Sequence, residues 1–200
     1  IEQDRKAVAS FLAHVKEFKP DLKVFGGDLW NFAALRRQAD EHEKVIRLKE
    51  DFKAGLDFLL EFKPAVFIRG NHDQRLWDGV KRERVNRTGW LAELCETYVI
   101  QFEEFAKKHN INVLPYDKRL GVFKTKGMSF AHGFGSGSNL TANMAETYGN
   151  VIHGHGHKIE RVTAMHSGGP VTGYQIGCLC RFFYSRIDGP LQHAGELGWA

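Results

Sequence analysis

Apolar residues recur every three or four positions over residues 4–19, where Val8, Phe11, Leu12, Val15 and Phe18 mark one face, so the spacing predicts an amphipathic helix closed by Pro20. The period then changes. Leu22, Val24 and Phe25 form a short apolar run that breaks at Gly26-Gly27 and delivers Asp28 where a strand would leave a sheet. A second helical stripe covers residues 39–62, carried by Val45, Ile46, Leu48, Phe52, Leu56, Leu59 and Leu60 and stopped by Pro64; residues 65–68 read as the next buried strand. That strand also runs out into a polar cluster, Arg69-Gly70-Asn71-His72-Asp73. A helical segment follows Trp90 to about His109, short strands are predicted at 111–114, 120–124, 128–131, 151–153, 161–166 and 171–176, and a helix fills 140–148. This alternation predicts an α/β sandwich with a largely parallel buried sheet, whose functional groups gather at the carboxyl ends of strands.

Composition narrows the picture without redirecting it. Two hundred residues, 42% hydrophobic and 26% charged, fit one globular domain over residues 1–200. The formal charge of +4 suits an anionic substrate but does not by itself point to nucleic acid. Cys95, Cys178 and Cys180 lack a paired C-x-x-C spacing, so reduced thiols in a cytoplasmic setting are expected, with Cys178 and Cys180 as small apolar residues in a strand or bend. No apolar stretch has the length to span a membrane, and the start lacks a signal-peptide pattern, so no membrane partner is expected. The chain opens at Ile1 and stops at Gly198-Trp199-Ala200, and both ends read as cut.

The candidate chemistry is concentrated in His153-Gly154-His155-Gly156-His157, three imidazoles separated only by glycine, a residue that lets the backbone approach an ion closely. Three further clusters pair a metal-competent side chain with glycine at predicted strand ends: Gly27-Asp28, Gly70-Asn71-His72-Asp73 and His132-Gly133. A carboxylate, an amide oxygen and imidazoles without thiolate suit Mn²⁺, Fe, Zn²⁺ or Mg²⁺. Each residue taken singly also has a structural reading: Asp28 as a helix cap, Asn71 as a turn former, His132 as a satisfied core histidine.

In this order the clusters resemble the calcineurin-like metallophosphoesterases, whose pattern is Asp-x-His, Gly-Asp, Gly-Asn-His-Asp/Glu, a His often followed by Gly, and Gly-His-x-His. The last four blocks are present between Phe25 and His157. The resemblance implies a metallophosphoesterase-type α/β sandwich of two mixed β-sheets flanked by helices, and two bound divalent ions, manganese first. It assigns Asp28 as the bridge between the ions, Asn71, His132 and His155 to the second ion, and His157 to the first. It places His72 at the phosphate as acid or transition-state stabiliser, with Asp73 orienting its ring, while a hydroxide bridging the metals attacks phosphorus. The motif does not require His153, which is expected behind the ligands or at the strand end. His14, His42, His109, His166 and His193 receive no role. Asp-x-His is missing because Asp4 is followed by Arg5 and Lys6, and the expectation is that the opening strand lies upstream of Ile1.

For the substrate, Arg75, Trp77, Lys81, Arg82, Arg84, Arg87 and Trp90 directly follow the Asn71 cluster. Cations and rings beside a phosphate site are elements of nucleotide or single-strand binding, with Arg75, Lys81 and Arg82 as the phosphate contacts; the competing reading is a solvated helix face. Asp28 is followed by Leu29-Trp30-Asn31, unlike the protein Ser/Thr phosphatase branch, and the chain is more similar to compact bacterial and phage members. The expectation is a phosphodiesterase acting on nucleic acid or nucleotide, with a phosphomonoesterase or a non-catalytic interaction module on the same fold as alternatives.

Overall fold

Asp4 begins the first helix by accepting the backbone N–H groups of Lys6 and Ala7 at 2.9 and 3.2 Å, which satisfies donors that the helix itself leaves open. In the computed structural model, which describes residues 2–36, 48–85 and 89–181, this helix, α1, spans Arg5–Phe18. It ends at Lys19, which turns left-handed (φ 50) and returns its N–H to Val15, so the stop precedes Pro20 by one residue. A two-residue strand, β1 (Glu2–Gln3), precedes α1 and pairs antiparallel with β10 (Cys180–Arg181). A short strand therefore does stand ahead of the first helix.

The chain divides into two compact units, Leu22–Gly121 and the remainder, Ile1–Asp21 with Val122–Ala200. The Leu22–Gly121 unit holds a parallel sheet of β2 (Val24–Phe25), β3 (Val66–Ile68) and β4 (Asn112–Leu114), in that order. Helices connect its strands: α2 (Leu48–Phe62), α3 (Gln74–Val85) and α4 (Gly89–Lys108). Such crossovers are what make parallel pairing possible. The fully buried β3 reads Val-Phe-Ile, the continuous apolar run expected of a strand covered on both faces. Its core is aromatic. Trp30 stacks on Phe32 and Phe52 with centroids 5.5 Å away in each case and meets Phe102 edge-on at 5.1 Å, while its indole N–H donates to the Phe52 carbonyl.

The other unit carries a five-stranded mixed sheet in the order β5 (Val122–Thr125), β6 (Met128–Ala131), β7 (Val151–His153), β9 (Gly169–Ile176), β8 (Ile159–His166). Hairpins make β5–β6 and β8–β9 antiparallel, whereas β6, β7 and β9 run parallel. Helix α5 (Leu140–Tyr148) supplies Leu140, Met144 and Ala145 to a core with Ala131, Val151 and Ala164. It lies against Gly173 of β9, where a Cβ would meet the Thr141 carbonyl at 2.7 Å. Of the two larger sheets only this one is mixed, because every connection in the other passes through a helix. The expected start of the second helix over 39–47, His42, Arg87 and His193 lie outside the described residues, as do the side chains of Arg82 and Arg84. No helix among the described residues is long and apolar enough to cross a membrane.

Candidate metal and phosphate site

In the Leu22–Gly121 unit, the loops leaving three adjacent parallel strands carry the predicted polar residues. Asp28 follows β2, Asn71, His72 and Asp73 form a turn after β3, and Tyr116 follows β4. Asp73 is fully buried and ties the first two loops together. One carboxylate oxygen accepts the N–H groups of Asp28 and Gly70, both at 2.8 Å, and the other accepts that of Trp30 at 3.0 Å. The His72 N–H in turn donates to Asp28 Oδ1 at 2.9 Å. Asp28 is held left-handed (φ 58), an unusual backbone for a residue with a side chain. Such conformations persist only where the surroundings enforce them, and they concentrate at functional sites.

The His72 ring meets a residue that the sequence did not single out. Its Nδ1 lies 2.9 Å from Asn31 Oδ1, and Arg75 donates to the same oxygen at 3.3 Å and to the Asn31 carbonyl at 2.6 Å. Because an amide oxygen only accepts, and this one also accepts from the Arg75 guanidinium, Nδ1 carries a proton. Asp51 of α2 holds the same loop by accepting the Phe32 N–H at 2.8 Å; burial pushes its carboxyl above the usual range, opposed by the N–H groups of Phe32 and Asn31. Burial and the Asp28 charge likewise push the Tyr116 phenol up, which places that phenol in the field of Asp28. The proximity of Asn31 to Asp28 in sequence and the position of Tyr116 at a strand end were the available signals.

Of the basic stretch, Arg75 is tied to Asn31 and Lys81 is exposed. Arg69 lies over one face of Trp77, 4.2 Å from the ring centre, and Trp77 also meets Phe102 edge-on, so this indole is engaged in packing. Trp90 is 69% exposed.

In the other unit the histidines follow two neighbouring parallel strands. His132 leaves β6, the run from Gly154 to His157 leaves β7, and the Gly154 N–H donates to the His132 carbonyl at 2.9 Å. His132 Nε2 and His155 Nδ1 are 3.2 Å apart. Two nitrogens bound to one ion at about 2.0–2.1 Å stand about 2.9 Å apart at a right angle and about 3.3 Å apart at the tetrahedral angle, so this pair fits a shared ion. His155 Nε2 donates to the Gly135 carbonyl at 2.9 Å, which leaves Nδ1 as the lone-pair nitrogen a ligand needs. The turn itself is strained: Gly156 N–H closes onto the Gly154 carbonyl at 2.9 Å around His155 at φ 68, and His157 follows at φ 56.

His153 ends β7 behind these residues. It is fully buried, its Nδ1 contacts the Gly154 carbonyl at 3.0 Å, and its Nε2 has no hydrogen-bond partner among the described residues. Burial pushes the imidazole below its ordinary pKa. Across the ladder from it, buried Gln175 accepts from Thr141 Oγ1 at 3.1 Å and presses against the histidine loop. A Cβ at Gly156 would come within 1.9 Å of Gln175 Nε2, whereas one at Gly154 would meet only the His132 carbonyl at 3.6 Å. Gly156→Ala is therefore expected to cost about 1–3 kcal/mol by overpacking and to weaken metal retention, with Gly154→Ala close to neutral. Thermal melts and metal analysis of the two variants read this directly, and equal behaviour would contradict it.

The two cysteines set aside in the sequence also come to a histidine. His157, Cys178 and Cys180 offer one nitrogen and two sulfurs that all lie within 4.8 Å of one another. Cys178 and Cys180 Sγ are 3.0 Å apart, and their hydrogen bond holds Cys178 down to about 7 while Cys180 is pushed up. Neither forms a disulfide.

With these groups described, comparison with known families gives a match to the calcineurin-like phosphoesterases over residues 2–170. The chain belongs to the calcineurin-like phosphoesterase family. The match runs through both units, and the calcineurin-like phosphoesterase assignment accords with the mixed α/β elements, two larger sheets and five helices among the described residues. It makes a metal-dependent phosphoesterase the general activity class and a phosphoester the substrate class, in a family that also includes non-catalytic members. A comparison with curated proteins returns no match.

Proposed function

We propose that this calcineurin-like phosphoesterase is a two-metal phosphodiesterase of the cytoplasm acting on nucleic acid or nucleotide, with residues 1–200 forming one catalytic domain. The observation that supports it best is the His132–His155 pair, spaced for one ion and with the His155 tautomer fixed for ligation. Following the family pattern, Asp28 would be shared by two divalent ions, manganese first, Asn71, His132 and His155 would hold the second ion, and His157 would hold the first. When bound, such ions supply positive charge to the phosphoryl oxygens and lower the pKa of water.

The chain's own contribution is positional and acidic. His72, with Nδ1–H turned to Asn31, would as the imidazolium present its Nε2–H to protonate the leaving oxygen. Asp73 acts as a positioning residue by fixing the turn that carries His72 and the loop that carries Asp28. Arg75 steadies Asn31, and with Lys81 and Arg82 it brings positive charge to α3, the helix that begins directly after the His72 turn.

His72→Ala is expected to retain bound metal yet lose about 10²–10⁴-fold in turnover, the usual contribution of general acid–base catalysis. Loss of metal together with activity would make His72 a ligand or a structural residue. For substrate class, manganese-supported hydrolysis of labelled single-stranded DNA and bis-p-nitrophenyl phosphate is expected to exceed that of p-nitrophenyl phosphate. A preference for the monoester with no DNA cleavage would make the protein a phosphatase.

A further inference from the structure

Strand register brings together residues that sequence distance separates. In the β8–β9 hairpin Ile159 pairs with Ile176, and the Gly177 N–H extends the ladder by donating to the Lys158 carbonyl at 3.0 Å. One further step along the same register sets His157 opposite Cys178. Cys180 lies two residues on, past a bend at Leu179, and its Sγ comes back to 3.0 Å from that of Cys178. The backbone there is held from its other side, because Cys180 pairs with Gln3 and the Leu179 carbonyl accepts the Asp4 N–H at 3.1 Å. His157 is fixed left-handed at φ 56, and its ring nitrogen and both sulfurs fall within 4.8 Å of one another.

We propose that His157, Cys178 and Cys180 bind one Zn²⁺ ion through an imidazole nitrogen and two thiolates, with a fourth position left for an oxygen donor. Two sulfurs and one nitrogen are a borderline-soft donor set that selects zinc over manganese or magnesium. Ligation at about 2.3 Å places tetrahedral sulfurs about 3.8 Å apart. The present 3.0 Å is thus opened by a small side-chain rotation. The site deepens the metal-dependent reading above and rests on it only for His157; it replaces manganese at that one ion with a thiolate-held zinc and leaves the ion of Asn71, His132 and His155 as proposed.

X-ray absorption at the zinc edge on the full-length, zinc-loaded protein tests this without a variant. A shell of two sulfurs at about 2.3 Å is expected, and a shell of nitrogen and oxygen alone would overturn the proposal. Cobalt loading supplies the second readout: a thiolate-to-cobalt charge-transfer band is expected in the wild type and absent from the folded Cys178→Ser/Cys180→Ser double variant. A band that persists in that variant overturns the site. The two readings separate cleanly, because phosphoester hydrolysis without sulfur ligation removes this site and leaves the hydrolase, while sulfur ligation without hydrolysis does the reverse.

Discussion

Replacing Asp73 with alanine is expected to destabilise the protein by about 3–5 kcal/mol and to abolish ordered metal binding at Asp28. The carboxylate is fully buried and accepts three backbone N–H groups, from Asp28, Trp30 and Gly70. Each hydrogen bond to a charged acceptor contributes roughly 1.5–3 kcal/mol, and alanine leaves the donors without a partner in a site too packed to admit much water. A loss of this size is a large share of the 5–15 kcal/mol that typically holds a domain together. Asp73→Asn gives a graded comparison. Its single oxygen can keep the two bonds now made by Oδ2, but its amide then faces the Trp30 N–H, donor against donor. Chemical denaturation should rank wild type above Asp73→Asn above Asp73→Ala, and an alanine variant within about 0.5 kcal/mol of wild type would show that Asp73 does not clamp the loops.

Gly70→Ala is the second large effect. Its Cβ would stand 2.1 Å from Asp28 Oδ1 and 2.4 Å from the Asp28 backbone nitrogen. A flexible side chain can swing aside, but a backbone nitrogen tied to Asp73 cannot, so the two loops must part by about 1 Å to reach ordinary contact. A cost of about 3 kcal/mol is expected, with metal affinity reduced because the Asp28 carboxylate is displaced along with its loop. Gly26→Ala is the control, since a Cβ there meets nothing within 4 Å. Melting temperature and bound metal should both fall for Gly70→Ala and hold for Gly26→Ala. Equal values for the pair would contradict the close approach of the loops.

Much of the fold was legible because each element bears a strong local signature. The Val-Phe-Ile run of β3 lies between helix and polar turn, and α5 spans the residues its apolar spacing predicts. The polar clusters could be placed at strand ends because parallel α/β sheets deliver their loops there. Hydrogen-bond partners could not be read in this way. Asp73, expected beside the His72 ring, spends its carboxylate on three backbone groups, and Asn31 meets the ring. Nothing in a linear pattern chooses between these, because the choice depends on the path of the Asp28 loop. The approach of Cys178 to His157 was hidden for a similar reason. It follows only once the β8–β9 register is fixed, and Gly156 tightens the same region against Gln175.

The central claim is that the chain hydrolyses phosphodiesters with bound metal. The most direct test is the rate of bis-p-nitrophenyl phosphate hydrolysis by the protein as purified, after chelation, and after manganese and zinc are restored. Activity that vanishes with chelation and returns with the restored metals is the predicted result. Metal-replete, folded protein that hydrolyses neither this diester nor DNA would contradict the account.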